Sequence, residues 1–223
     1  MNQSVTFRTP GGIVSGIVQG PKSADILVVL APGAGAPMTH GFMEHVAGGL
    51  ASRGHRVARF NFVYTESGRR SPDRQPVLEQ TFRTVLDELK DEVEAPRWIL
   101  GGKSMGGRIA SHVVGSGTRA DGLLFLGYPL HPPGRPDRLR DAHLYDIETP
   151  MLFVEGTRDP FCPLDTLEKV RRNLAAPNEV AVIDDGDHSF KVRKSSGRST
   201  KQAWDEVVAH SAAWIEGLRV PAF

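Results

Sequence analysis

Residues 98–108 read WILGGKSMGGR, and the reading of this stretch decides the fold. Gly102-Lys103-Ser104 fits the last three places of a phosphate-wrapping loop, G-x-x-x-x-G-K-[ST]. Gly102 to Gly106 also fits G-x-S-x-G, a strand–turn–helix elbow that presents a serine hydroxyl. The first reading fails on its surroundings. A phosphate loop requires a glycine five residues before Gly102, where Arg97 stands, and Trp98-Ile99-Leu100 are strand formers that leave no slack to wrap a phosphate. The elbow requires a strand, a sharp turn and a helix that begins at once, with small residues where strand and helix meet. Gly101, Gly102, Gly106 and Gly107 flank Ser104, and Met105, Ile109, Val113 and Val114 follow at helical spacing. A glycine-rich turn with an ordinary serine also fits these few residues, so the elbow needs support from elsewhere in the chain.

Outward from the elbow, short apolar runs mark strands buried on both faces of a parallel sheet: ILVVLA (26–31), RVARFNF (56–62), WILGG (98–102), GLLFLGY (122–128), MLFVEG (151–156) and EVAVID (179–184). Helical spacing alternates with them over 40–53, 77–93, 105–114, 164–174 and 201–218. Before the first run, Val5 and Phe7, a Pro10-Gly11-Gly12 turn, then Ile13, Val14, Ile17 and Val18 predict an antiparallel hairpin at a sheet edge. The expected fold is therefore α/β, a doubly wound, mostly parallel sheet flanked by helices, in a single domain over 1–223. Functional residues in such folds sit in loops at the carboxyl ends of the strands.

Two such loops supply partners for Ser104. MLFVEG runs into Thr157-Arg158-Asp159-Pro160, and EVAVID into Asp185-Gly186-Asp187-His188. Asp159 before a proline is also a common turn residue, and His188 alone would read as a surface histidine. In the order Ser, Asp, His, each after a strand, they match a nucleophile, an orienting acid and a general base. An oxyanion site needs two backbone N–H groups; Met105 follows the serine, and the small residues Pro32-Gly33-Ala34-Gly35-Ala36 offer the second, from Ala34 first and Gly35 next. A dinucleotide fingerprint at Gly33-x-Gly35 fails because Met38 holds the third glycine place. Loops 62–76 and 129–146 are the expected pocket walls, with Gly35, Tyr64, Arg69, Arg70 and His131 as candidates. Their arginines suggest an anionic group on the substrate, although loop arginines are commonly just solvated.

Composition narrows the partners. A net charge of +1 gives no cause to expect a polyanion, and the basic run KVRKSSGRSTK (191–201) lacks interleaved aromatics, so it reads as a solvated loop. The longest apolar run, 26–31, is far below the roughly 20 residues that span a bilayer, and MNQSVTFRTP has no leader pattern. With the lone Cys162 precluding an internal disulfide, a cytoplasmic location is expected. Neither a metal nor a cofactor is expected: Asp184, Asp185, Asp187 and His188 lack a ligand spacing.

At this point the chain resembles the α/β-hydrolase superfamily, near the dienelactone-hydrolase-like proteins, over nearly its whole length. More narrowly, APGAGAPMTH, FNFVYTESGRRSPDR, GGKSMGGRIA, LGYPLHPPGRPDRLRDAHL, GTRDPF and DGDHSF are similar to a small bacterial branch. That branch is akin to the testis-expressed hydrolase-like proteins and the hydrolase-like subunit of the non-specific lethal chromatin complex. The resemblance implies a triad of Ser104, Asp159 and His188, and the short chain leaves little room for a lid. Dienelactone hydrolases proper use a cysteine where Ser104 stands, so lactone chemistry does not transfer, and Pro32 replaces the usual histidine of the oxyanion motif. The expected function is a serine hydrolase of small acyl compounds, esters or thioesters. The rivals are a non-catalytic scaffold keeping the fold and an acyltransferase using the same acyl-enzyme.

Overall fold

A computed structural model of the chain describes residues 2–218. One sheet of eight strands runs through it in the order β1-β2-β4-β3-β5-β6-β7-β8. The strands are β1 (Asn2–Thr9), β2 (Gly12–Gln19), β3 (Ile26–Ala31), β4 (Arg56–Phe60), β5 (Arg97–Lys103), β6 (Gly122–Leu126), β7 (Met151–Gly156) and β8 (Asn178–Ile183). The β1–β2 hairpin is antiparallel and joins β4 antiparallel; every pairing from β4 to β8 is parallel.

The helices are α1 (Gly41–Ala51), α2 (Val63–Glu66), α3 (Gln75–Glu92), α4 (Met105–Gly115), α5 (Leu164–Arg171) and α6 (Thr200–Gly217). Side chains along β3 alternate between two cores, which is why its whole run is apolar. Leu27, Val29 and Ala31 face α3, α4 and α5, while Ile26, Val28 and Leu30 face α1 and α6. The α3 face buries Leu78, Phe82, Val85, Leu86 and Leu89 at helical spacing. At α6 a capping box starts the helix: Gln202 N–H donates to Ser199 Oγ (3.2 Å), and Ser199 N–H donates to Gln202 Oε1 (2.8 Å).

One expectation is corrected here. RVARFNF leaves the sheet after Phe60, because Asn61 turns to hold other loops: its Oδ1 accepts from Met38 N–H (2.8 Å) and its Nδ2 donates to Glu66 (2.9 Å). The short α2 then occupies part of the stretch expected to be loop. Buried Arg59 on β4 donates to the Met38 carbonyl (2.6 Å) and to Gln19 Oε1 (3.0 Å), so the loop after β3 is anchored from beneath. The β4-β3-β5 order reverses the direction of winding at β3 and β5, which opens a crevice beyond their carboxyl ends.

Candidate active site

Ser104 is the single residue between β5 and α4, and its backbone (φ 52°, ψ −115°) lies outside the regions that non-glycine residues favour. Close packing holds it there. A Cβ on Gly102 or on Gly106 would strike the Ala31 carbonyl oxygen of β3, so a side chain at either place would push the strand and helix apart. Ser104 N–H donates to the Leu126 carbonyl (3.0 Å), tying the turn to β6. Asp185 and Phe190, beyond β8, also have positive φ, and backbone strain of this kind clusters at functional sites.

Asp159 follows β7 on a tight turn, its N–H donating to the Gly156 carbonyl (3.1 Å), and it is 4% exposed. Its Oδ1 accepts from Phe161 N–H (2.8 Å), and its Oδ2 lies 2.6 Å from His188 Nδ1. Beside a carboxylate Nδ1 must be the donor, so a neutral His188 presents Nε2 as an acceptor. That nitrogen lies 2.8 Å from Ser104 Oγ. The His188 loop, beyond β8, is shaped by Asp187, whose Oδ1 accepts from Ser189 N–H (2.8 Å) and Lys191 N–H (2.9 Å). Phe161 packs its ring edge-on to His188 at 4.7 Å. Three residues more than eighty positions apart at the extremes are thus joined by consecutive hydrogen bonds.

These groups open onto a cavity of about 570 Å³. Ala34, Met105 and His131 line it, as sequence reasoning expected. The amide of Ala34 has no hydrogen-bond partner among the described residues, and that of Met105 is a first-turn donor of α4 with no carbonyl behind it in the helix. Gly35 is different: its N–H donates to Tyr64 Oη (3.1 Å) and is already engaged. Tyr64, expected as a pocket wall, is fully buried and braces the loop from behind. Arg69 and Arg70 do not reach the cavity either; Arg69 pairs with Asp73 (2.6 Å), and Arg70 is exposed. The arginines that do line the cavity are Arg108, on the first turn of α4, and Arg140, from the loop after β6, and Lys103 beside the serine lines it as well. Arg108 had a sequence signal, since it stands four residues after the serine and so one helical turn along the same face.

Beneath the site lie charges that the sequence did not foretell. Lys103 Nζ is buried without a hydrogen-bond partner, and burial brings its pKa down to about 8 against the pull of Asp159, Glu155 and Asp187. Fully buried Glu155 accepts from Tyr128 N–H (2.5 Å), and burial pushes its carboxyl well above the usual range. Burial likewise pushes the Cys162 thiol up, so it is no second nucleophile. The acidic run at 184–187 is spent locally: Asp185 pairs with Arg158 (3.1 Å) and Arg193, which also engages part of the basic segment 191–201.

Residues 24–216 match the model of the alpha/beta hydrolase domain. The chain belongs to the α/β-hydrolase family. Solved α/β-hydrolase structures agree in architecture. A serine hydrolase homologue from Coxiella burnetii has a TM-score of 0.75 at 19% identity, over 93% of this chain and 96% of its own. A dienelactone hydrolase from Anabaena variabilis gives 0.78 at 17% identity, over 98% and 99%. An α/β serine hydrolase without a lid from Xanthomonas campestris gives 0.74 at 16%, over 100% and 96%. As in that last protein, no lid covers the cavity among the described residues. None of the described helices is long and apolar enough to cross a membrane.

Proposed function

We propose that the protein is a serine hydrolase of small esters, thioesters or related acyl compounds, with Ser104, His188 and Asp159 as its triad. The observation that carries this reading is the unbroken hydrogen-bond chain from Ser104 Oγ to His188 Nε2 (2.8 Å) and from His188 Nδ1 to Asp159 Oδ2 (2.6 Å), with the serine on a strained turn facing a cavity. Ser104 Oγ attacks the acyl carbon while its proton passes to His188 Nε2. The tetrahedral oxyanion takes N–H donors from Ala34 and Met105, each worth on the order of a hundredfold or more in rate. The C–O or C–S bond to the leaving group then breaks, and His188 returns the proton to it. Water, deprotonated by the same nitrogen, releases the acid. Asp159 holds the imidazole in its tautomer and stabilises the cation formed in each half-reaction.

The motif stretches quoted above support a place in the dienelactone-hydrolase-like branch akin to the testis-expressed hydrolase-like proteins, and the continuous sheet supports a single domain. A fluorophosphonate probe tests the assignment. The wild type should label covalently, and Ser104→Ala should not. Labelling of both would place the reactive nucleophile elsewhere, and labelling of neither would return the chain to the scaffold reading; either overturns the assignment. Product analysis with added alcohol distinguishes hydrolysis from acyl transfer.

A further inference from the structure

Arg108 and Arg140 both line the cavity, and neither has a carboxylate partner among the described residues. Arg108 Nη1 donates to Gln75 Oε1 (2.9 Å) and lies 3.3 Å from His112 Nε2, both neutral acceptors, while its Nε is buried with no partner. The rings packed behind it carry no negative charge, and the carboxylate whose field reaches it is Glu79, on α3. His112 stacks on His143 with ring centres 3.6 Å apart, and burial, followed by the charge of the neighbouring residues, brings the His143 pKa down to about 4. Burial also pushes the Tyr128 phenol up, which keeps it protonated.

The nearby carboxylates are spoken for. Asp73, on the cavity wall, accepts from Arg69 (2.6 Å) and from Tyr64 N–H (3.1 Å). Glu79 accepts from Arg83 (3.0 Å) and Gln75 (2.8 Å), and Asp141 from Tyr145 Oη (2.6 Å). Burial and then the charge of Arg140 lower the Arg108 pKa against the pull of Tyr128 and Glu79, so the two guanidiniums feel one another. Two neighbouring cations on a recessed wall, neither in an ion pair among the described residues and with Glu79 the carboxylate that acts on Arg108 from a distance, favour a ligand that brings negative charge.

We propose that this cavity selects acyl substrates carrying a second, anionic group, a carboxylate or phosphate, seated between Arg108 and Arg140 in the cavity that Ser104 lines. The proposal rests on the serine-hydrolase reading. It moves the expected anion recognition from Arg69 and Arg70 to two residues that reach the cavity. The planar guanidinium fork suits either oxyanion, and the apolar wall of Phe42, Met43 and Leu78 leaves the rest of the acyl compound in an uncharged surround.

The test compares p-nitrophenyl hemiglutarate with p-nitrophenyl pentanoate, equal in acyl length and different in the terminal charge. Wild type should prefer the hemiglutarate in kcat/KM by about tenfold or more, the scale of a charge-assisted hydrogen bond. Arg140→Met and Arg108→Met should each collapse that ratio, and Arg140→Lys should restore part of it. A second arm places the carboxylate on the leaving group, using the pentanoate ester of 4-hydroxybenzoate against that of its methyl ester, and so finds which half of the substrate carries the anion. Competitive inhibition by glutarate and by inorganic phosphate separates the two oxyanions. A wild-type ratio near one in both arms, or a ratio that survives both arginine variants, overturns the proposal. If the wild type cleaves none of these esters, the hydrolase reading is what has failed. Calorimetry of glutarate and phosphate with wild type and Arg140→Met then decides the anion site alone: binding lost in the variant upholds it, and no binding, or equal binding, overturns it.

Discussion

The elbow between β5 and α4 and the loops that rim the cavity are held by different means. At the elbow, backbone presses on backbone: Gly102 and Gly106 lie so close to the Ala31 carbonyl that no side chain fits, and the serine between them is held at φ 52°. At the rim, in 62–76 and 129–146, position depends on how far long side chains reach and what they meet. Arg69 turns to Asp73, Tyr64 turns inward to the Gly35 amide, and Arg140 reaches the cavity. Function placed on the elbow is therefore tied to the fold, while the rim can change its residues with little cost in stability.

The largest expected effect lies at the elbow. Ser104→Ala and His188→Ala should each lower kcat on a p-nitrophenyl ester by on the order of 10⁴ or more, and the double variant should lose no more than either single one, because the residues act as a unit. Additive losses would mean that the serine and histidine work separately. Next comes the scaffold itself. Gly106→Ala forces a methyl group onto the Ala31 carbonyl and should cost about 3 kcal/mol in urea unfolding. Gly134→Ala, on the rim, meets open space and carries only the strain of φ 69°, about 1 kcal/mol. Equal costs at the two glycines would erase the distinction between elbow and rim.

That distinction also explains what the sequence could tell. The central parallel strands were readable because a strand buried on both faces must be apolar at every position, as β3 is, whereas EVAVID, expected to be buried on both faces, forms the edge strand β8 and leaves Glu179 and Val182 exposed. The elbow was readable because close packing of β3, β5 and α4 leaves glycine as the residue that fits. Asp159 and His188 were readable because their chain order follows strand order. The pocket wall was not: Arg69 and Arg140 are alike on paper, and only the three-dimensional neighbourhood gives one a partner and leaves the other without. The early end of β4 was hidden for the same reason, since Asn61 departs from the sheet to satisfy amides in other loops.

Lys103 blurs the boundary, being part of the elbow motif yet buried by tertiary packing. With its pKa near 8 in the folded chain and 10.5 when exposed, its proton is held less tightly folded than unfolded. Below about pH 8 both states are protonated, and the folded state bears the full cost of the buried ammonium, roughly 3 kcal/mol. From about 8 to 10.5 the unfolded chain still binds the proton and the folded chain does not, so stability rises with pH in that window. Lys103→Met should accordingly be the more stable protein at pH 7, by about 2 kcal/mol, and its advantage should shrink toward pH 10. An advantage independent of pH would mean that the ammonium is solvated or paired in the folded state.

The smallest effects belong to the rim. Tyr64→Phe removes the hydroxyl that accepts the Gly35 N–H, leaving that part-buried amide without its partner, and should cost about 1 kcal/mol in stability. Because the same loop carries Ala34, the variant should also lower kcat more than it raises KM, since a displaced oxyanion donor is felt in the transition state. Arg69→Ala breaks an ion pair whose arginine is half-exposed, and should change stability by less than about 1 kcal/mol. A fall in kcat for Arg69→Ala as large as that for Tyr64→Phe would show that Asp73, once released, reaches the site, and the rim would then be tied to the elbow through Asp73 as well as through Tyr64.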